Sequence, residues 1–220
     1  KLGIARDCTI RERNESARKN YFYADLPKGY QITQDTTPIC TGGFIRIKDA
    51  LGKDKNINLT RIRMEEDSGK SIHDIDPFNT LVDLNRAGIP LLEIVSEPEI
   101  KNGEEAYSYL SEIRKLVRYL EISDGNMEEG SLRADLNISV RKKGTTKFGT
   151  KVEVKNMNSF RNVQKAIDFE IIRQIDLIEG GTPIFQETRT FDAVKNCTIG
   201  LRTKEDAHDY RYFPEPDLVP

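Results

Sequence analysis

Apolar residues recur at three- and four-residue steps in two stretches of the chain and alternate with polar residues in several others. From Glu104 to Leu120 the positions Ala106, Leu110, Ile113, Val117 and Leu120 line one helical face, and Glu104 and Glu105 fall in the first turn, where carboxylates suit the helix dipole. A second amphipathic helix is predicted from Ser159 to Ile178. There Phe160, Val163, Ile167, Ile171, Ile175 and Ile178 repeat the spacing, Ser159 is the candidate N-cap, and Gly180-Gly181 is the stop. Strand signals lie between and around these helices. Phe44-Ile45-Arg46-Ile47 follows a Gly-Gly turn, Ile57 to Met64 is β-branched and apolar in patches, and Ile89 to Val95 is an apolar run interrupted by Glu93. The clearest alternation, Leu132, Ala134, Leu136, Ile138 and Val140, sets Arg133, Asp135, Asn137, Ser139 and Arg141 on the opposite face. After a Lys/Gly/Thr turn region, Lys151-Val152-Glu153-Val154-Lys155 alternates the same way. The two strands are therefore expected to form a hairpin whose polar face carries Asp135 and Glu153 side by side. Ile184 to Phe191 is expected to add a strand. Strands and helices mixed at hairpin-like spacing predict an α+β fold, with a largely antiparallel sheet and flanking helices.

Composition narrows the class. The chain has 220 residues, 37% of them hydrophobic, enough for one domain of ordinary size or two small ones. With no internal repeat and no low-complexity stretch, residues 1–220 read as one compact unit. No run approaches the roughly 20 apolar residues needed to span a bilayer, and the N-terminal Lys-Leu-Gly-Ile shows neither a signal-peptide core nor an initiating Met. A soluble chain, cut from something longer, is expected. The 34 Lys and Arg against 36 Asp and Glu leave a formal net charge of -2, so no global field marks a polybasic nucleic-acid coat or a membrane-surface protein. Cys8, Cys40 and Cys197 are far apart and odd in number, which suggests neither a disulfide framework nor a zinc knuckle and fits a reducing cytoplasm. His73 and His208 stand outside any metal-binding motif and read as surface or structural. Any metal must then take oxygen ligands, which favours Mg2+ over Zn2+.

Three acidic features are candidates for chemistry. Glu65-Glu66-Asp67 stands beside Gly69-Lys70-Ser71, Glu128-Glu129 precedes the polar-faced strand with Asp135, and Glu93 interrupts an apolar run. Acid pairs at strand ends are usually solvated, and that reading is preferred for Glu65 and Glu128. Glu93 either faces solvent from an edge strand or is buried with a partner; the second option makes it a candidate ligand. Gly69-Lys70-Ser71 is not a phosphate loop, because Met64 occupies the position that would need the first glycine and no amphipathic helix follows. No nucleophile elbow or Ser/Lys constellation marks a hydrolase or amidase. Were the chain to act on nucleotide phosphates, the device would be carboxylate-held Mg2+ over an antiparallel sheet, with a scattered set such as Glu66, Glu93, Asp135 and Glu153.

Several longer phrases resemble a known family. Arg18-Lys19-Asn20-Tyr21-Phe22-Tyr23, Asp25 to Ile32, Met64 to Ser71, Val82 to Gly88, Met127 to Arg133 and Tyr210 to Asp217 together resemble the GatB family of aspartyl/glutamyl-tRNA amidotransferases. The resemblance runs from near Arg18 to Pro220. It implies a cradle like the antiparallel fold of glutamine synthetase-type enzymes. It also implies a reaction in which ATP phosphorylates the side-chain carboxylate of Glu-tRNA(Gln) or Asp-tRNA(Asn), and ammonia then displaces the phosphate to give Gln-tRNA(Gln) or Asn-tRNA(Asn). ATP and Mg2+ would be the cofactors. The implied partners are the amidase GatA, which delivers the ammonia through a tunnel, the small GatC protein in a heterotrimer, and the misacylated tRNA. Position by position, Glu66 and Glu93 match the family's metal-binding acids, and Asp135 and Glu153 match a second acidic pair near the same pocket. Lys19 and Lys28 fall in motifs associated with the tunnel mouth and acceptor pocket. Arg133 is added as a phosphate contact because it shares the polar face with Asp135; an ion pair with a neighbouring acid is the bland alternative. The family's first strand, with a Glu and a His that help to hold the metal, and its C-terminal helical and tail domains are not found in these 220 residues. A catalytically inert scaffold that docks the amidase and the tRNA acceptor end is the alternative expectation. A stand-alone RNA-binding module is disfavoured by the near-neutral charge and by the lack of an aromatic RNA-binding pattern.

Overall fold

The computed structural model describes residues 1–73, 75–203 and 209–220; His208 lies outside them. In chain order the elements are α1 (Leu2–Ala5), β1 (Thr9–Ile10), β2 (Ala17–Asn20), β3 (Tyr30–Thr33), β4 (Cys40–Thr41), β5 (Phe44–Lys48) and β6 (Asp54–Glu66). There follow β7 (Lys70–Ile72), β8 (Leu81–Asp83), β9 (Pro90–Ser96), α2 (Gly103–Tyr119), β10 (Leu136–Ile138) and β11 (Val152–Lys155). The chain closes with α3 (Phe160–Glu179), β12 (Glu187–Asp192), β13 (Cys197–Thr203) and β14 (Phe213–Pro214).

The first sheet is organised on β6, which is 13 residues long. β4 and β5 lie along one edge of it, and β9 along the other, with Arg61 opposite both Thr41 and Val95. The Gly42-Gly43 pair is a left-handed interruption between β4 and β5, with φ of 69° and 80°; a Cβ on Gly43 would sit 2.2 Å from the Arg6 carbonyl oxygen. A second sheet has the order β10-β11-β12-β13, a third β14-β2-β3, and β7 and β8 form a ribbon. Every described pairing is antiparallel except β11 with β12, which are parallel because α3 carries the chain back across the sheet. The α+β, largely antiparallel expectation holds.

Both predicted helices form, each with its side-chain cap. Ser159 Oγ accepts from the Asn162 backbone N–H at 3.1 Å, and Asn102 Oδ1 accepts from Glu105 N–H at 2.9 Å. α2 packs on β5 and on α3, while α3 packs on β10 and β13, so the helix pair joins the first sheet to the second. One core runs through all these layers, with Ile57 and Ile62 from β6, Ile113 and Val117 from α2, Val163 from α3, and Val152 and Val154 from β11. Among the described residues, no helix is long and apolar enough to cross a membrane.

Two expectations need correction. The alternation from Leu132 to Val140 yields a strand only at Leu136–Ile138, because Arg133 is drawn away to Asp67 after a left-handed Gly130. The second half of α3 also buries a different face from the one its isoleucines suggest. Ile175 and Ile178 are exposed, whereas Glu170 and Gln174 are fully buried. Gln174 Nε2 donates to the Ile138 carbonyl at 3.2 Å and to Glu170 at 3.1 Å; Arg173 binds Glu170 through two nitrogens at 2.9 Å; Arg189 stands 3.1 Å away and the Thr198 hydroxyl donates to the same carboxylate. Polar partners from β10, β12 and β13 thus override the apolar stripe.

Burial pushes the Glu170 carboxyl up, but the hydrogen bonds from Arg173, Thr198 and Gln174 and the Arg173 charge outweigh it and hold the group below its ordinary 4.5. A carboxylate with a depressed folded-state pKa contributes stability that is present above the unfolded value and is lost as pH falls through the folded one. Glu170→Gln is therefore expected to lower stability by about 3 kcal/mol near neutrality, since it strips a buried pair of its anion. The difference from the parent protein should shrink below about pH 4.5. Urea unfolding at several pH values checks both statements; a difference that is constant with pH would refute the ion-pair account.

Candidate functional site

The site is built on the second half of β6. Its register with β9 sets Arg63 opposite Glu93, Glu65 opposite Leu91, and Glu66 opposite Pro90. Successive strand residues point to opposite faces. Arg63, Glu65 and Glu93 therefore share one face of the ladder, and Glu66 lies on the other.

On the first face, Arg63 grips Glu93, with Nη2 3.2 Å from Oε1 and Nε against Oε2. Glu93 is thus a partnered acid. Arg63 also stands 3.7 Å from Glu65, which Lys19 approaches at 3.7 Å from the other side and to which the Thr33 hydroxyl donates at 2.8 Å. Glu65 is not the solvated strand-end acid expected from its sequence; it sits between two cations. Aromatic rings close over them. Tyr21 meets Tyr23 and Tyr210 edge-on, Tyr210 meets Tyr212 likewise, and the Lys19 ammonium lies 5.6 Å and 5.0 Å from the ring centres of Tyr21 and Tyr210. The Tyr21 hydroxyl donates to Gln31 Oε1. Burial, with the nearby Glu65 and Asp25 charges, pushes the Tyr21 phenol well above its usual range, so it stays a proton donor at neutral pH.

On the other face, Glu66 Oε1 accepts the Ile32 backbone N–H at 2.7 Å and pairs with Lys28. Lys28 and Arg18 both stack on Tyr30, at 4.7 Å and 4.2 Å from its centre. Arg18 in turn binds Glu215 through two bonds of 2.7 and 2.9 Å, which hold that carboxyl below its ordinary range. Lys19 and Lys28 thus serve different acids on different faces.

The second acidic pair comes together as the hairpin predicted. β10 and β11 pair with Asn137 opposite Glu153, and the Lys155 ammonium bridges Asp135 at 3.2 Å and Glu153 at 3.5 Å. Glu153 also accepts the Thr188 hydroxyl from β12 at 3.0 Å. Burial pulls Lys155 down, but the charges of Asp135 and Glu153 more than offset it and leave the ammonium above its usual value.

The two halves are tied by a residue that the sequence shows only as one of three adjacent acids. Asp67, one position beyond β6, has a side chain only 3% exposed and receives Arg133 through two bonds of 3.0 and 2.7 Å and Arg86 Nε at 2.9 Å. Arg133, which precedes β10, is thus ion-paired with an acid that follows β6, and its side chain stays 55% exposed. Lys19 and Arg133 come from 46 and 66 positions away, so nothing local to Glu65 or Asp67 announces them. Gly69, in the rejected phosphate-loop phrase, is a packing point. Its N–H donates to the Asp25 carbonyl at 2.8 Å, a Cβ there would lie 2.7 Å from the Asp83 carbonyl oxygen, and β7 follows at once.

Among the described residues, no three His, Cys, Asp or Glu side chains converge as an ion cage. The donor chemistry still suits a hard cation. All the acids offer oxygen, Glu66 Oε1 takes both of that residue's contacts, and Asp135 meets Lys155 through Oδ2, so among the described residues one oxygen of each has no hydrogen bond. Mg2+ needs only one or two such carboxylates when phosphate and water oxygens complete its shell.

The sequence profile of the GatB/GatE catalytic domain matches residues 1–220, and the chain belongs to that family. Proteins named as the B subunits of aspartyl/glutamyl-tRNA(Asn/Gln) amidotransferases are 59% identical to it in Chlorobium phaeobacteroides, 60% in Chlorobaculum tepidum and 58% in Bdellovibrio bacteriovorus, each over 220 residues. All of this chain is covered, but only 46% of each relative, so it spans about half their length.

The Asp67 knot is asymmetric, because the carboxylate is buried and its cations are partly exposed. Arg133→Met should cost about 1–3 kcal/mol, and Arg133→Met with Arg86→Met about 3–5 kcal/mol, since the double change strands a buried charge. Denaturant midpoints at neutral pH measure this. Equal costs for the single and double variants would show that the knot is not what holds Asp67.

Proposed function

We propose that this GatB/GatE-family chain supplies the activation site of a tRNA-dependent amidotransferase. There the side-chain carboxylate of Glu-tRNA(Gln) or Asp-tRNA(Asn) is phosphorylated by ATP and then amidated, within a glutamine synthetase-like cradle assembled with GatA and GatC. The observation that carries this reading is the row of paired carboxylates and fixed cations along one face of the β6–β9 ladder, tied through Asp67 and Arg133 to the hairpin that holds Asp135, Glu153 and Lys155. The names of the relatives support it.

The reaction places charge that such a face suits. A substrate carboxylate oxygen attacks the γ-phosphorus and ADP leaves; ammonia then attacks the acyl carbon, inorganic phosphate leaves, and a proton is lost from nitrogen. A carboxylate and a polyphosphate, both anionic, are brought together in the first step, so nearby cations contribute mainly by position and electrostatics. Lys19 and Arg63 stand beside Glu65 and Glu93, and Lys155 keeps its proton because the charges of Asp135 and Glu153 outweigh its burial. Arg133 keeps an exposed edge beyond its bonds to Asp67, and we assign that edge to phosphate; Lys19 and Lys28 are assigned to the acceptor pocket and tunnel mouth. Bound Mg2+ would offset charge on the γ-phosphate, with Glu66, Glu93, Asp135 and Glu153 as the carboxylates available to it. The register places Glu66 and Glu93 on opposite faces, so the two would serve from different sides of the ladder.

One observation favours the inert-scaffold alternative for these 220 residues: no three candidate ligands converge among the described residues. Calorimetric titration of the chain with Mg-ATP separates the readings, since tight metal-dependent binding excludes the scaffold. In the full-length assembly, Glu66→Gln and Glu93→Gln are each expected to lower tRNA-dependent ATP cleavage by about 100-fold or more, while the partner's glutaminase continues to turn over. Undiminished Gln-tRNA formation by both variants would sink the assignment.

A further inference from the structure

The hairpin that holds Asp135 and Glu153 has a second end. Between Leu136 and Val152 there is no acidic residue, whereas Arg141, Lys142, Lys143, Lys147 and Lys151 are all cationic. Every residue from 141 to 151 is exposed. Among the described residues no carboxylate is paired with any of these cations, in contrast to Lys19, Lys28, Arg63, Arg133 and Lys155, each of which has one. The near-zero net charge of the chain therefore hides a strongly segregated loop.

The loop is also ordered rather than a loose lysine run. The Thr145 N–H and hydroxyl both reach the Lys142 carbonyl, at 3.1 and 2.7 Å, around a left-handed Gly144. Arg141 donates to the Thr146 carbonyl across the turn, and its guanidinium lies 4.5 Å from the centre of the Phe148 ring. Phe148 is 53% exposed, leaving ring surface open to solvent. At the base, Gly149 passes so near β10's continuation that a Cβ there would meet the Val140 carbonyl oxygen at 2.2 Å. Cations spaced along an ordered turn, with an aromatic ring among them, match the phosphate backbone and bases of RNA.

We propose that residues 141–151 form a contact for the RNA phosphate backbone, separate from the site that holds the reacting carboxylate. The inference rests on the reading that the substrate is an aminoacylated RNA. Geometry supports the division of labour. Asp135 lies before β10 and Arg141 beyond it, six residues apart or about 20 Å of extended chain, so an RNA whose charged 3′ end reaches the Asp135–Lys155 end would carry its backbone past the loop.

The test uses the full-length protein with its co-purifying subunits and replaces Lys142, Lys143 and Lys147 together, once by Ser and once by Arg. Dissociation constants for uncharged tRNA are measured across a salt series. The Ser variant is expected to lose of order tenfold in affinity at low salt and to reduce the slope of log affinity against log salt by about 2 to 3, while the Arg variant keeps both. Amidation by the Ser variant should show a raised KM for aminoacyl-tRNA at unchanged kcat. A Ser variant with the parent's affinity and slope overturns the loop proposal and leaves the proposed function standing. So does one that loses a partner protein while binding tRNA normally, which would assign the loop to an acidic protein surface. A parent assembly that binds no tRNA sinks both readings.

Discussion

The arrangement depends on one buried carboxylate. Asp67 ends the longest strand of the first sheet, and the two arginines it binds come from the β8–β9 connection and from the segment that leads into the second sheet. Without those partners its desolvation would be severe; with them the charge is matched by bidentate geometry. Its backbone is committed as well, donating to the Ile89 carbonyl at 2.8 Å and accepting from Gly88 at 2.9 Å. The end of β6, the start of β9 and the approach to β10 are thereby fixed at one point, and that point is next in sequence to Glu66 and two residues from Asp135 along the Arg133 segment. A hydrophobic contact could hold these segments together but would not fix their rotation. Two parallel N–H···O bonds do.

The same economy explains why the acids of the site stand beside cations instead of clustering as a bare anionic cage. Carboxylates gathered without counterions raise one another's pKa and lose charge near neutrality. Here Glu93 faces Arg63, Glu65 stands between Lys19 and Arg63, Glu66 meets Lys28, and Asp135 and Glu153 share Lys155. Each acid thus has a cation beside it. On the reading proposed above, a polyphosphate would exchange partners with these cations and free carboxylate oxygens for a metal.

How much was legible in the sequence follows from the range of the interactions. The helices were readable because periodicity and the Ser159 cap are local, and the β10–β11 hairpin because alternation on both sides of a turn fixes which residues meet. The buried face of α3 was not, since Glu170 becomes interior only when Arg189 and Thr198 arrive from strands 19 and 28 positions away. The parallel pairing of β12 was hidden for the same reason: a strand's own pattern does not tell which neighbour it joins. Glu93 stood out by its apolar surroundings, whereas Glu65 and Asp67 were visible only as neighbours in an acidic run and Glu65 read as solvated, because an acid at a strand end looks so until cations such as Lys19 and Arg133 come from elsewhere in the fold. The resemblance carried over identities of candidate residues; only register could show that Glu66 and Glu93 take opposite faces.

The β10–β11 hairpin joins these threads. On one side β11 pairs antiparallel with β10, and on the other it runs parallel to β12, whose Thr188 holds Glu153. Val152 and Val154 between them are fully buried. The acid-bearing end therefore has both neighbours and the core to keep it still, while the other end projects eleven exposed residues with no acid among them. A strand that is rigid at its carboxylates and solvated at its cations cannot serve one ligand at both ends by local contact. It suits a ligand long enough to be fixed along its backbone at one end and positioned for chemistry at the other, which is a demand that a nucleotide alone does not make and a charged RNA does.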